Sequence, residues 1–253
     1  MAFNDSNQNH LCNIGGALTV DGHVDELICE NWSKNILSRK NVWTDSFGRN
    51  SFTFGNAWYV LLEKGLLHKY HAESQLKNQL IEELHGYLDA MLAAKDYLAP
   101  PEDFRDIDVP LISRSEKLGP FWCWSGVHLS KSNRGGSAHA DFEGLSPYPE
   151  RIFSPDTRAF SALLSIQKPA WGGGLKVWEG RMQGDHTDEM WKQHLCSTNT
   201  TIYNYPTGTL TIIDSFLVHQ ILPAFTWGNR FRMVGVMHFL FHETPHPHWE
   251  YWF

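Results

Sequence analysis

From about residue 110 onward the chain breaks into short segments that read as strands: 120–129, 158–168, 174–179, 200–205, 209–214, 216–222 and 230–241. β-Branched and aromatic residues fill them. The connections are rich in Pro and Gly, as in Lys168-Pro169-Ala170-Trp171-Gly172-Gly173-Gly174 and Tyr205-Pro206-Thr207-Gly208. About seven short strands after an α-rich start fit two sheets folded into a jelly roll, with helices packed on one face. The expected architecture is α+β in one domain, with a support region over 1–109, a jelly-roll core over 110–241 and a tail over 242–253. No internal repeat or low-complexity linker divides it.

The support region carries helical periodicity. Leu27, Ile28, Trp32, Ile36 and Leu37 predict a helix over 24–38. Leu76, Leu80, Ile81, Leu84, Leu88, Met91 and Leu92 form one apolar stripe that predicts a helix over 72–97, ended by Ala99-Pro100-Pro101. Aromatic residues over 51–62 suggest a strand, and residues 1–20 a loose arm or a first short strand. The His-rich tail, His242-Glu243-Thr244-Pro245-His246-Pro247-His248-Trp249, reads as an irregular surface or dimer-contact segment rather than a metal site.

Composition excludes several partners. The net charge is −7 and no basic cluster is present, which argues against nucleic acid and against anionic membranes. No apolar run approaches the about 20 residues needed to span a bilayer. Cys12, Cys29, Cys123 and Cys196 are widely spaced and read as free thiols of a reducing compartment. With no secretory signal at the N-terminus, a cytoplasmic protein is expected.

The candidate chemistry lies in Gly135-Gly136-Ser137-Ala138-His139-Ala140-Asp141. In extended backbone, residues i and i+2 point the same way, so His139 and Asp141 can aim at one point. His23-Val24-Asp25 and His186-Thr187-Asp188 share the pattern. His23, however, opens a helix, where i and i+2 do not share a face, and His186 sits in a polar loop. A further imidazole would complete a 2-His-1-carboxylate face, which leaves positions open on Fe(II). His219, delivered by the apolar run 209–218 and followed by Pro223, is the candidate. Downstream, Gly228-Asn229-Arg230-Phe231-Arg232 opens the last strand-like segment. By alternation Arg230 and Arg232 would share a face, and a guanidinium turned inward suits a carboxylate.

The set His139-x-Asp141, His219-x-x-x-Pro223 and Gly228-x-Arg230 resembles the Fe(II)/2-oxoglutarate-dependent oxygenases, in their prolyl-hydroxylase-like branch. Gly172-Gly173-Gly174-Leu175-Lys176-Val177-Trp178 and Tyr205-Pro206-Thr207-Gly208-Thr209-Leu210 resemble strands of that family. The resemblance covers roughly 110–241. It implies a double-stranded β-helix, Fe(II) held by His139, Asp141 and His219, 2-oxoglutarate anchored by Arg230, O2 as oxidant and oxidation, chiefly hydroxylation, of a small molecule such as a free amino acid or a natural-product intermediate. Where the family often has Ser two residues after the Arg, this chain has Arg232, which can share or take over the anchor. The tyrosine often found some nine residues before the first His is replaced near that place by Ser130. Asp141 argues against halogenation, since related halogenases lack the carboxylate. Trp122, Trp124, His128, Arg134, Glu143 and Trp178 lie near the site in sequence, and Glu143, Arg134 or Arg232 would suit an amino-acid substrate. The alternative is a cupin-like metal-binding jelly roll without 2-oxoglutarate chemistry.

Overall fold

The computed structural model describes residues 11–45, 51–54, 57, 58, 61, 64–118, 123, 125–130, 135–141, 156–182, 187–228 and 230–253. Its strands are β1 (Ala17–Val20), β2 (Thr44–Asp45), β3 (Ser51–Phe54), β4 (Leu111–Ser113), β5 (Gly126–Ser130), β6 (Ala159–Gln167), β7 (Trp171–Gly172), β8 (Leu175–Arg181), β9 (Thr200–Tyr203), β10 (Leu210–Asp214), β11 (Leu217–Ile221), β12 (Ala224–Phe225), β13 (Arg232–His242) and β14 (His248–Trp252). Its α-helices are α1 (Glu26–Ser38), α2 (Leu67–Glu82), α3 (Tyr87–Leu92), α4 (Arg114–Leu118) and α5 (Asp188–Ser197).

Nine of the described strands form one sheet, in the order β1-β10-β6-β13-β5-β3-β2, with β14 on β13 and β4 on β14. A smaller sheet, β11-β8-β9, faces it, and β12 pairs with β7. Together they make the double-stranded β-helix of an α+β protein, with the N-terminal helices on the outer face of the large sheet.

Strand alternation divides the apolar residues into two layers. Along β13, Met233, Met237, Phe239 and Phe241 pack with Trp32 and Ile36 of α1 and with Tyr87 and Met91 of α3. Val234, Val236 and Leu240 point the other way and pack with Leu175, Val177, Leu217 and Val218 of the small sheet. Arg232 and His238 share this inner face with them, which puts polar groups between the two sheets. β6 divides likewise, Phe160, Ala162 and Leu164 outward and Ala159 and Leu163 inward.

Several sequence expectations change. The helix expected over 72–97 is two helices and a 3-10 turn, because Gly86 takes a left-handed conformation (φ 77°) between α2 and α3. Leu76 of the expected stripe is 56% exposed. Of the strand expected over 51–62, the described residues form a strand at Ser51–Phe54 and are helical at Trp58 and Leu61, and 55, 56, 59, 60 and 62 lie outside the described residues. The arm over 1–20 supplies β1, which pairs with β10, while residues 1–10 lie outside the described residues. The tail expected to be irregular ends in β14, buried along its whole length, antiparallel to β13 and parallel to β4. Burial of Trp249, Tyr251 and Trp252 drives this, and the partner strand β4 lies too far back in the chain for local sequence to reveal it. None of the four cysteines is in a disulfide. No described helix is long and apolar enough to cross a membrane.

Gly235 of β13 sits where α3 crosses the sheet. A Cβ there would lie 2.6 Å from the Tyr87 hydroxyl and 3.2 Å from Met91 Sδ. We expect Gly235→Ala to cost about 1–3 kcal/mol in urea unfolding, as overpacking does. Combined with Tyr87→Phe, which removes the nearer of the two Tyr87 atoms in the way (the hydroxyl at 2.6 Å, leaving Cε2 at 2.9 Å), it should cost less than the two single changes summed.

Candidate active site

The segment around His139 is held in place by backbone pairing to β11. Gly136 N donates to Ile221 O (2.9 Å), His139 N to His219 O (3.0 Å) and His219 N to His139 O (2.8 Å). The Gln220 side chain adds a bond to Gly136 O (2.9 Å). His139 and His219 are therefore directly opposite one another, an isolated antiparallel bridge. Their rings stand 4.4 Å apart, and Asp141 lies two residues on. Oδ1 of Asp141 is 3.6 Å from Nε2 of each imidazole.

Each ring is turned by the same device. Nδ1 of His139 faces the carbonyl of Ser137 at 2.9 Å, and Nδ1 of His219 faces the carbonyl of Leu217 at 3.1 Å. A carbonyl acceptor holds the proton on Nδ1 and leaves the Nε2 lone pairs turned toward Asp141. Two imidazole nitrogens and one carboxylate oxygen then lie within 4.8 Å of one another. That donor set fits a divalent transition ion with positions left open.

The charge states suit ligation too. Burial pushes His219 down to about 4, against the pull of Asp141. Burial alone would raise Asp141, but His219, His238 and His139 outweigh it and hold the carboxyl well below the usual range. At neutral pH an ionised carboxylate thus meets a neutral His219.

Behind Asp141 stands a small polar group. It accepts a hydrogen bond from Ser161. Ser161 Oγ also lies 3.0 Å from His238 Nδ1 and 3.2 Å from Ser215 Oγ. Ser161 and His238 escaped the sequence reading. The signal for His238 was present: by alternation along Arg232, Val234, Val236 and His238 it shares the face of Arg232.

The two arginines separate. Arg230 is exposed and precedes β13, in a turn where its N–H donates to Trp227 O (3.3 Å). The expectation that Arg230 and Arg232 share a face is therefore corrected: alternation applies only inside the strand, which begins at Arg232. Arg232 is 4% exposed, donates from Nε to Gly173 O (3.1 Å) and lies 5.2 Å from the Tyr205 ring. Ser130 of β5 is its register partner. Among the other nearby residues, Trp178 is buried and bonds Leu195 O, and Trp122, Trp124, Arg134 and Glu143 lie outside the described residues. Of the competing His-x-Asp pairs, His23 is pinned to Ala90 O (2.9 Å) while Asp25 caps α1, and His186 lies outside the described residues.

No family model matches the chain, and no curated protein matches it. Solved structures do. An N-substituted L-amino acid dioxygenase from Burkholderia ambifaria, in complex with α-ketoglutarate, is 13% identical with a TM-score of 0.57 over 94% of this chain and 86% of that one. The non-heme α-ketoglutarate-dependent carbocyclase SnoK of nogalamycin biosynthesis is 10% identical with a TM-score of 0.54, over 89% and 79%. The epimerase SnoN, in complex with Fe3+, α-ketoglutarate and nogalamycin RO, is 14% identical with a TM-score of 0.51, over 88% and 78%. The fold is that of the 2-oxoglutarate-dependent oxygenases. Within this oxygenase fold the inner face of β13 carries Arg232 at one end and His238 near Asp141.

His128, on the inner face of β5, is pushed down to about 3 by burial and by Arg232, and burial also lowers His238. Both are neutral in the folded chain but protonate when unfolded. Between the ordinary value of 6.5 and about 3 the unfolded chain therefore binds more protons, so stability rises with pH across that window. Urea midpoints of metal-free protein should be highest above pH 6.5 and decline below it. His128→Gln should flatten part of that decline.

Proposed function

We propose that the chain is an Fe(II)- and 2-oxoglutarate-dependent dioxygenase that oxidises, chiefly by hydroxylation, a small molecule such as a free amino acid or a natural-product intermediate. The observation that carries this reading is the convergence of the half-exposed His139, the partly buried Asp141 and the buried His219, on a fold whose inner sheet face also holds the buried Arg232.

In this reading His139 and His219 hold Fe(II) through Nε2, and Asp141 through a carboxylate oxygen. When bound, the metal brings cosubstrate and O2 together and supplies the oxidising power. The protein's residues bind, orient and exclude water. Arg232 takes the far carboxylate of 2-oxoglutarate, because a buried guanidinium favours a bidentate anion. It replaces Arg230 in that role, since Arg230 is exposed ahead of the strand. Ser130, its register partner, offers a hydroxyl close by. Ser161 keeps Asp141 oriented, and the carbonyls of Ser137 and Leu217 keep both imidazoles in the ligating tautomer. Val177, Trp178, Val234 and Val236 make the interior apolar, which protects the reaction from water. The small-molecule class is supported by the substrates that the similar amino-acid and nogalamycin proteins carry in their names.

The test is an anaerobic titration of metal-free protein with Fe(II) and 2-oxoglutarate, read by the visible metal-to-ligand charge-transfer band. Wild type should show the band, and Asp141→Ala and His219→Ala should abolish it. Arg232→Ala should raise the 2-oxoglutarate requirement about tenfold or more, the cost of a lost charge-assisted pair. Arg230→Ala should leave it nearly unchanged. A folded, iron-loaded protein without a band would instead favour a cupin-like metal-binding jelly roll.

A further inference from the structure

The construction of the candidate active site occurs twice. On β14, His248 and Glu250 form a His-x-Glu pair, and His242 of β13 lies directly opposite His248. In the active site His139 and Asp141 form the His-x-acid pair, and His219 lies directly opposite His139. The paired rings are 4.7 Å apart in one place and 4.4 Å in the other. Nδ1 of His248 faces the carbonyl of His246, two residues back, at 2.8 Å, as His139 and His219 face theirs. Nε2 of His242 is 3.1 Å from Oε2 of Glu250. All three residues are buried, and one ligand atom from each lies within 4.8 Å of the others.

What distinguishes this second group is a resident cation. Nζ of Lys117, on α4, is 3.1 Å from Nε2 of His248 and 3.5 Å from Oε2 of Glu250. An imidazole nitrogen that accepts from an ammonium presents its lone pair to a positive charge. Arg114 bonds the other carboxylate oxygen, Oε1, and so leaves Oε2 to His242 and Lys117. Two of the three donors, His248 and Glu250, already meet one cation, His242 reaches the same carboxylate oxygen, and that cation can leave. The Lys117 side chain is 29% exposed, whereas those of Arg114, His242 and Glu250 are fully enclosed.

We propose that His242, His248 and Glu250 form a second divalent-cation site, suited to Zn(II), in which the metal takes the place of the Lys117 ammonium. Two imidazoles and a carboxylate are a donor set that zinc accepts, with a fourth position for water. Arg114 keeps one positive charge beside the carboxylate, so this site binds more weakly than the first. It stands independently of the iron reading, because its residues and its test are separate.

The experiment is a Zn(II) titration against a chromophoric chelator, in a chain carrying Asp141→Ala and His219→Ala so that the first site is disabled. One equivalent should still bind. Adding His248→Ala should remove it. Adding Lys117→Met instead should tighten it by about tenfold or more, because the competing internal cation is gone. Near-UV circular dichroism establishes that each variant is folded. Absence of zinc binding in the folded Lys117→Met chain overturns the proposal, as does binding that survives His248→Ala. The charge-transfer band of wild type, which reports the iron site, is not used, so either reading can fail without the other.

Discussion

Two backbone hydrogen bonds between His139 and His219 bring together parts of the chain that are far apart in sequence, and the rest of the site follows from them. Opposed residues of an antiparallel pair present their side chains on the same face, so the two imidazoles become neighbours. Asp141, two residues along, joins them. The carbonyls of Ser137 and Leu217 then choose the tautomer, and Ser161 supports the carboxylate from behind. No helix or long loop is needed to assemble the three groups, and a rigid ladder positions them more closely than a loop would.

The long strand β13 does the corresponding work for charge. Its outer face is apolar and anchors α1 and α3, while its inner face carries Arg232 and His238 among valines and a leucine. A guanidinium in such a place needs an anion, because an uncompensated buried charge is costly. Packing against the helices holds the strand in register, and register decides that Arg232 points inward. Support region and site are thus mechanically one unit: the helices that look remote from the chemistry fix the position of the arginine proposed to hold the cosubstrate.

The oxygenase fold was legible because its signals are local or periodic. Pro/Gly turns marked the strands, and β6, β8, β10, β11 and β13 fall close to their expected ranges. The His-x-Asp spacing was legible for the same reason, as two residues at strand spacing, and His219 was a candidate only through the apolar run that delivers it. The misses share a different cause. Gly86 interrupts a helix that its apolar stripe would continue, and Arg230 lies just outside a strand whose first residue no pattern marks. Two prolines made the tail look irregular when it ends in a buried strand.

The sequence by itself determined the strand segments, the turns between them, the pairing of His139 with Asp141 on one face, and the small set of residues from which a metal site could be drawn. These depend on backbone geometry over a few residues, which side-chain type and spacing control directly. Tertiary structure alone decided which histidine stands opposite His139, which arginine is buried, and that β14 joins the large sheet beside β4. Those outcomes depend on register and burial between segments distant in the chain. A one-residue shift in register turns every side chain to the other face, and only the packing of both layers selects among the possible registers.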